Sequence, residues 1–366
     1  MAGGGTSGHV IPALAIAEQL VDAGYDPASV HLVGTHGGRE TRLVPAAGHP
    51  LALLDVRGFR RGRSPSALRH DLGSLARLAR ATRAADALVA ALRPRVVVSV
   101  GGYASVPASR AALRARVPLV TVSYDHVPGL ATRVFARRAV ASAVAFDDTR
   151  LPRAVVTGAP VRRALRHLDP ARARGDARAR LGLPAEATVL AVVGGSLGSA
   201  HLNAVAAAIV ERRGAEARLA MLHVAGERYA DTEAPPVPPP GGLVYRRRAS
   251  LDDMADLYAA ADLVVARAGA STVAELACVG VASLLVPWRG AADDHQRANA
   301  AWLATRGGAE TAPDEDVPAA VRAAEALLDD APRRARLAAR AREAGAPHRR
   351  GEVGALVRRV AETGRA

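Results

Sequence analysis

Short apolar runs recur along the chain, separated by small-residue turns and by stretches in which apolar residues return every three or four positions. Runs too short for buried helices, alternating with 3.6-residue periodicity, predict parallel strands joined by helices. In the first half the strand-like runs are 30–33, 51–56, 96–100, 119–122, 143–146 and 155–156. The helical stretches between them include 11–23, 39–47 and 65–92. An arginine- and alanine-rich connector over 162–187 reads as helical, and then the pattern restarts. Strands are expected at 189–193, 219–224, 263–265 and 283–286, with a helix over 199–211. The chain closes in a charged helical segment, 317–366.

This order predicts an α/β protein of two Rossmann-like domains facing a cleft. Residues 1–161 would form the first and 162–345 the second, with a helix over 346–366 packing back on the first. A loop of Gly3, Gly4, Gly5 and Gly8 precedes the helix at 11–23, yet only two residues stand before it. In a doubly wound sheet such a loop leaves the end of a central strand. The first strand of the N-terminal domain is therefore expected to be missing from this chain, with the true start upstream of Met1.

The stretch 261–300 carries the most specific chemistry. Leu263, Val264 and Val265 lead into a turn of Arg267, Ala268, Gly269 and Ala270. Ser271 and Thr272 fall where an N-cap is expected, ahead of a helix over 273–279. After Pro287 a polar loop runs to Asp293, Asp294, His295 and Gln296. A small-residue turn feeding a helix offers free backbone N–H groups to an anion, normally a phosphate. Glu275, one turn in, could reach a ribose diol. An ordinary βαβ unit would read the same way without its flanking motifs.

Composition narrows the classes. The sequence has no run of 18 uncharged apolar residues, so no transmembrane helix is expected. The single cysteine, Cys278, excludes an internal disulfide and a multi-cysteine metal site and favours a cytoplasmic setting. No HExxH motif or Cys/His set suggests a metal, and no cofactor is expected. All 49 basic residues are arginine, which removes lysine chemistry. Residues 1–160 hold 20 Arg against 10 acidic residues, so most of the net charge of +14 lies in the first half. Aromatics at 3% are too few for nucleic-acid stacking platforms, so nucleic acid is not expected as a partner. An anionic membrane surface fits better, met through Arg57, Phe59, Arg60, Arg61 and Arg63. Of the four rare amides, Asn203, Gln296 and Asn299 sit in or beside the Gly-rich and polar loops and are candidates for ligand contact, whereas Gln19 lies within the first helix.

Six segments in order carry a resemblance: GGGTSGHVIPALAIA, VSVGGYASVPA, VTGAPVR, VVGGSLGSAHLN, ARAGASTVAELACVG and DDHQRANA. Over nearly the whole chain they resemble the MurG-type N-acetylglucosaminyltransferases of peptidoglycan synthesis. The resemblance implies the GT-B architecture and transfer of GlcNAc from UDP-GlcNAc to a lipid-linked muramyl-pentapeptide, with inversion and without an obligatory metal. It implies a peripheral enzyme on the cytoplasmic face of the cell membrane. By position it puts Thr6, Ser7 and Gly8 beside the donor sugar and acceptor diphosphate. Arg162, Ser196 and the backbone at Leu251 would hold UDP. Ala270, Ser271, Thr272, Val273, Ala274 and Glu275 would contact phosphate and ribose, and Gln296 the sugar hydroxyls. Asp125 would also border the donor, and His9 and Tyr103 would lie on the acceptor side.

Some positions depart from that pattern. Val122, Ser123, Tyr124 and Asp125 replace the usual His-Glu-x-Asn, Ser7 stands for a glycine and Leu197 for a glutamine. Chemistry is expected as a single displacement with His9 or Asp125 as general base. A different polyprenyl or natural-product acceptor stays open, as does a catalytically silent UDP-sugar-binding protein.

Overall fold

The computed structural model describes the chain except residues 5–6, 57–64, 196–197, 233–236 and 252; the side chains of 7, 65–76 and 292 are also outside the description. The arginine loop at 57–63, Thr6, the Ser7 side chain, Ser196 and Leu197 therefore lie outside the described residues. The chain divides into two compact units, Met1–Arg163 with Arg350–Ala366, and Ala164–Arg349.

The first unit contains β1 (Leu32–Thr35), β2 (Leu51–Leu54), β3 (Val97–Ser99), β4 (Leu119–Ser123), β5 (Ala141–Val144) and β6 (Ala154–Val156). β1 pairs in parallel with β2, and β3-β4-β5-β6 form a parallel row. Between β1 and β3 stand only the first residues of the chain. Ala2 bridges Val33 on one side and Ser99 on the other, both in parallel. Its N–H donates to Val98 O at 2.8 Å, and its carbonyl accepts from Val100 N at 2.8 Å. Below Ala2, at the amino ends of β1 and β3, an apolar cavity of about 440 Å³ opens among Leu20, Val30, Leu88, Val89, Val96 and Val357. Ala2 thus takes a strand position between β1 and β3.

Apolar periodicity places the helices. From Leu78 onward the Pro65–Leu92 helix turns Ala81, Ala85 and Val89 into a core with Val33, Leu54 and Ala108. The Glu352–Thr363 helix packs on the Ser7–Asp22 helix of the same unit. There the Gln19 side-chain oxygen accepts from Gly354 N at 2.7 Å.

The second unit is a six-stranded parallel sheet of β7 (Thr188–Val193), β8 (Leu219–Val224), β9 (Val244–Arg248), β10 (Leu263–Ala266), β11 (Ser283–Leu285) and β12 (Glu310–Thr311). Its order is β12-β11-β10-β7-β8-β9, so the winding reverses between β7 and β10. Asp262 ties the amino ends of those two strands together, accepting from Val189 N at 2.8 Å and from the buried Arg178 at 2.8 Å.

Several boundaries differ from the sequence reading. The first helix begins at Ser7 rather than 11. The expected strand at 143–146 lies at Ala141–Val144, where it registers with β4. The connector is two helices, Arg163–Arg166 and Pro170–Leu181. Asp169 divides them: its carboxylate accepts from Ala171 N and Arg172 N, and Pro170 can begin a helix but not continue one.

Asn203 has a structural partner. Its Oδ1 lies 2.9 Å from Nε2 of His223 on β8, while the Tyr245 hydroxyl meets Nδ1 at 2.8 Å. His223 is 2% exposed. Burial, reinforced by Arg247, depresses its pKa from 6.5 to about 4. The folded state therefore holds His223 neutral where the unfolded chain would protonate it. That contribution is complete above pH 6.5 and is lost as pH falls from 6.5 towards 4; a shift of this size corresponds to about 3 kcal/mol. Urea unfolding of wild type should show this loss between pH 7 and 4.5, and His223→Gln should flatten that part of the pH dependence.

Candidate functional site

In an open parallel sheet, ligands settle beyond the carboxyl ends of the strands where the winding reverses. In the second unit that point lies between β7 and β10, which lead into Gly194 and Gly195 and into the 267–269 turn. The helix leaving β10 is Ala270–Val279. Its N-cap is Gly269, in extended conformation and with no side-chain cap; Ser271 and Thr272 occupy the first turn. The expectation of a Ser271–Thr272 cap is thus corrected. Gly269 can serve as an N-cap without supplying an acceptor, so the first-turn N–H groups receive no side-chain oxygen from it.

The other end of this helix is heavily capped. Gly280, at φ +81, returns its N–H to Leu276 O at 2.8 Å. Arg349 donates to Cys278 O at 2.9 Å and Arg342 to Val279 O at 3.1 Å. Cations at the carboxyl end complement the helix dipole, and the amino end keeps its partial positive charge for an anion.

Glu275 lies one turn into the helix, half-buried, and its Oε2 accepts from the Tyr258 hydroxyl at 2.9 Å. Tyr258 is almost wholly enclosed, and burial together with Glu275 raises its pKa well above 10, so it remains a donor. Ala270, Val273 and Ala274 are buried, which leaves Ser271, Thr272 and Glu275 to shape the tip.

Gln296 is helical, not in a loop. The loop ends at Asp293 and Asp294, both with φ +53, and the His295–Ala304 helix follows. Its Asn299 donates to Ala268 O at 3.2 Å, in the turn immediately before Gly269. This bond brings the helix carrying Gln296 to the tip of the Ala270–Val279 helix. The Gln296 oxygen itself accepts from Trp288 N at 2.9 Å. Arg267 supports the same region, donating to Val286 O at 3.1 Å and pairing with Asp314, which also accepts from Arg289 N at 3.1 Å. Leu251 is half-buried ahead of the Met254–Ala260 helix.

The first unit repeats the arrangement around Ala2. His9 lies in the first turns of the Ser7–Asp22 helix, with the exposed Gly8 before it. Its Nδ1 meets the Tyr124 hydroxyl, and Gly101 and Gly102 pass beside its ring. Burial lowers the His9 pKa below 6.5; Asp125, the Val100 backbone and Glu40 oppose that shift without reversing it. Glu40 is buried among Gly4, Gly34 and Gly38, accepting from Thr35 N at 2.8 Å and the Thr35 hydroxyl at 2.9 Å. Tyr103 packs partly buried against the core of Val33, Leu54 and Ala108. Arg162 falls in this unit, where its Nε donates to Glu18 at 2.7 Å.

Sequence reading missed Tyr124, Tyr258, Glu40 and Arg349. Tyr124 stands within the substituted 122–125 segment and Glu40 is a lone acid after a second glycine pair, Gly37 and Gly38, while Tyr258 and Arg349 carry no local signal. Among the described residues no group of three or more His, Cys, Asp or Glu is placed to hold a metal.

Two parallel Rossmann-like units define the GT-B class of glycosyltransferases. Models of the glycosyltransferase family 28 N-terminal and C-terminal domains match residues 1–144 and 189–353. The transferase of Paenarthrobacter aurescens named UDP-N-acetylglucosamine–N-acetylmuramyl-(pentapeptide) pyrophosphoryl-undecaprenol N-acetylglucosamine transferase is 43% identical over 87% of this chain and 83% of its own. A Leifsonia xyli protein of the same name is 40% identical over 98% and 97%. The crystal structure of Acinetobacter baumannii MurG covers 98% of the chain and 97% of its own at 26% identity, with a TM-score of 0.72. The chain belongs to glycosyltransferase family 28, among the MurG-type enzymes.

The capped end of the Ala270–Val279 helix is open to test. A Cβ on Gly345 would lie 2.0 Å from Ala277 O. Gly345→Ala should cost about 2 kcal/mol or more, lowering Tm by roughly 4–8 °C in a thermal melt.

Proposed function

We propose that the protein transfers GlcNAc from UDP-GlcNAc to the lipid-linked muramyl-pentapeptide that its relatives are named for, working peripherally at the cytoplasmic face of the membrane. One observation carries the donor half of this reading: the Ala270–Val279 helix has no side-chain cap at its amino end, at the point where the sheet winding reverses. A diphosphate supplies the oxygens that this end lacks. The ribose diol then falls to Glu275, held by Tyr258, and the sugar hydroxyls to Gln296. Ser196 and the Leu251 backbone complete the nucleotide contacts. Arg162 joins through the guanidinium nitrogens that Glu18 does not take.

Acceptor handling belongs to the first unit, with Thr6, Ser7 and Gly8 beside the diphosphate and His9, Tyr103 and Asp125 around the attacking hydroxyl. The reaction is a single displacement with inversion at C1, and its developing charge is stabilised by the helix tip. The arginine-rich stretch 57–63 meets the anionic membrane surface. No helix of the described residues is long and apolar enough to cross a membrane. The substituted segment Val122–Ser123–Tyr124–Asp125 favours a second reading, in which the same donor serves a different polyprenyl acceptor.

Calorimetry with UDP-GlcNAc should give a 1:1 binding isotherm. Glu275→Ala should weaken it at least tenfold and Tyr258→Phe by roughly 3–10-fold, one hydrogen bond to a charged group being worth about 1.5–3 kcal/mol. Binding that is indifferent to both changes refutes the donor site. Radiolabelled transfer to a lipid I analogue, run beside other polyprenyl diphosphate acceptors, decides between the two acceptors.

A further inference from the structure

The glycosyl-transfer reading leaves His9 and Asp125 competing for the acceptor proton, and a third residue bears on that choice. Tyr124 is 6% exposed, and its hydroxyl meets Nδ1 of His9. The two rings are tilted by 60° with centroids 6.0 Å apart. Burial and the neighbouring Asp125 raise the Tyr124 pKa well above 10, so the phenol keeps its hydrogen. Among the described residues the Tyr124 hydroxyl has one hydrogen-bond partner, that imidazole nitrogen. A buried hydroxyl that donates to nothing costs about 1–3 kcal/mol, so the hydrogen is donated by Tyr124 to Nδ1. A neutral imidazole that accepts at Nδ1 carries its own hydrogen at Nε2.

The surroundings hold the ring in that state. A Cβ on Gly102, whose φ is +73, would lie 2.7 Å from Cδ2 and 2.8 Å from Nε2 of His9. A Cβ on Gly101, at φ +93, would come within 3.6 Å of Cε1. Only glycine lets the backbone after β3 pass so close with this geometry. The titratable groups acting on His9 are Tyr124 and Asp125 from the segment after β4 and Glu40 from the Glu40–Ala46 helix.

We propose that Tyr124 is a positioning residue that fixes His9 as the Nε2–H tautomer, a donor rather than a base, and leaves proton removal to Asp125. The acceptor O–H bond breaks and its proton passes to a carboxylate oxygen of Asp125. The freed oxygen pair forms the new bond to C1 as the C1–O bond to UDP breaks, its electron pair leaving on the diphosphate. His9 stays neutral throughout, its Nδ1 lone pair occupied by Tyr124.

Nitrogen NMR of the full chain labelled with ¹⁵N-histidine tests the tautomer, with His9→Gln identifying the His9 signals. Wild type should show an unprotonated Nδ1 and a protonated Nε2. Tyr124→Phe should lose that preference and move the His9 titration upward, because the bond that stabilised the neutral ring is gone. A protonated Nδ1 in wild type, or a downward move in Tyr124→Phe, overturns the proposal. In transfer assays Asp125→Asn should lower kcat by about 100-fold or more. His9→Gln, which keeps a donor, should recover at least tenfold of what His9→Ala loses. A mild Asp125→Asn, or Gln and Ala equally damaging at position 9, also overturns it. If wild type transfers no sugar, the functional reading fails, while the NMR arm still decides the tautomer.

Discussion

The second unit depends on an electrical asymmetry in one ten-residue helix, Ala270–Val279. Peptide dipoles add along a helix, leaving partial positive charge at the amino end and partial negative charge at the carboxyl end. Here the negative end is met by Gly280, Arg342 and Arg349, while the positive end carries no side-chain cap. The final turn thus has its partners within the protein, and the first turn is left for a ligand. Placing that helix on the strand where the sheet winding reverses puts its open end in the crevice that an open parallel sheet provides.

Aromatic hydroxyls complete both units. Tyr258 supports the carboxylate of Glu275, and Tyr124 supports the imidazole of His9. Each is buried, each has its pKa raised well above 10 by that burial, and each therefore acts as a fixed donor. A donor that cannot ionise holds its partner in one orientation and, at His9, in one protonation pattern. The pair at His9 lies beside the departures at residues 122–125: Tyr124 fills the position that the family pattern leaves open, next to Asp125 in place of the usual asparagine.

Amide side chains show the limit of reading chemistry from rarity. Asn203 steadies a core histidine, Gln19 holds a backbone N–H of the last helix, and Asn299 fastens the turn before Gly269. Gln296 is at the helix tip region, and even it spends its oxygen on Trp288 N. Scarce amides in this chain serve backbone and core hydrogen bonds as much as any ligand.

Local pattern determined a good deal. Alternating apolar runs and 3.6-residue stretches specified two parallel α/β units, because strand and helix periods are properties of neighbouring residues. Ordered motifs marked the family. Tertiary structure alone decided which residue caps the helix, that Gln296 is helical, and that Arg162 belongs with Glu18. It also decided the partners of His9 and of the Cys278 carbonyl, which come from 115 and 71 positions away. Those contacts depend on strand order and on helices returning across a sheet, and no spacing along the chain encodes them.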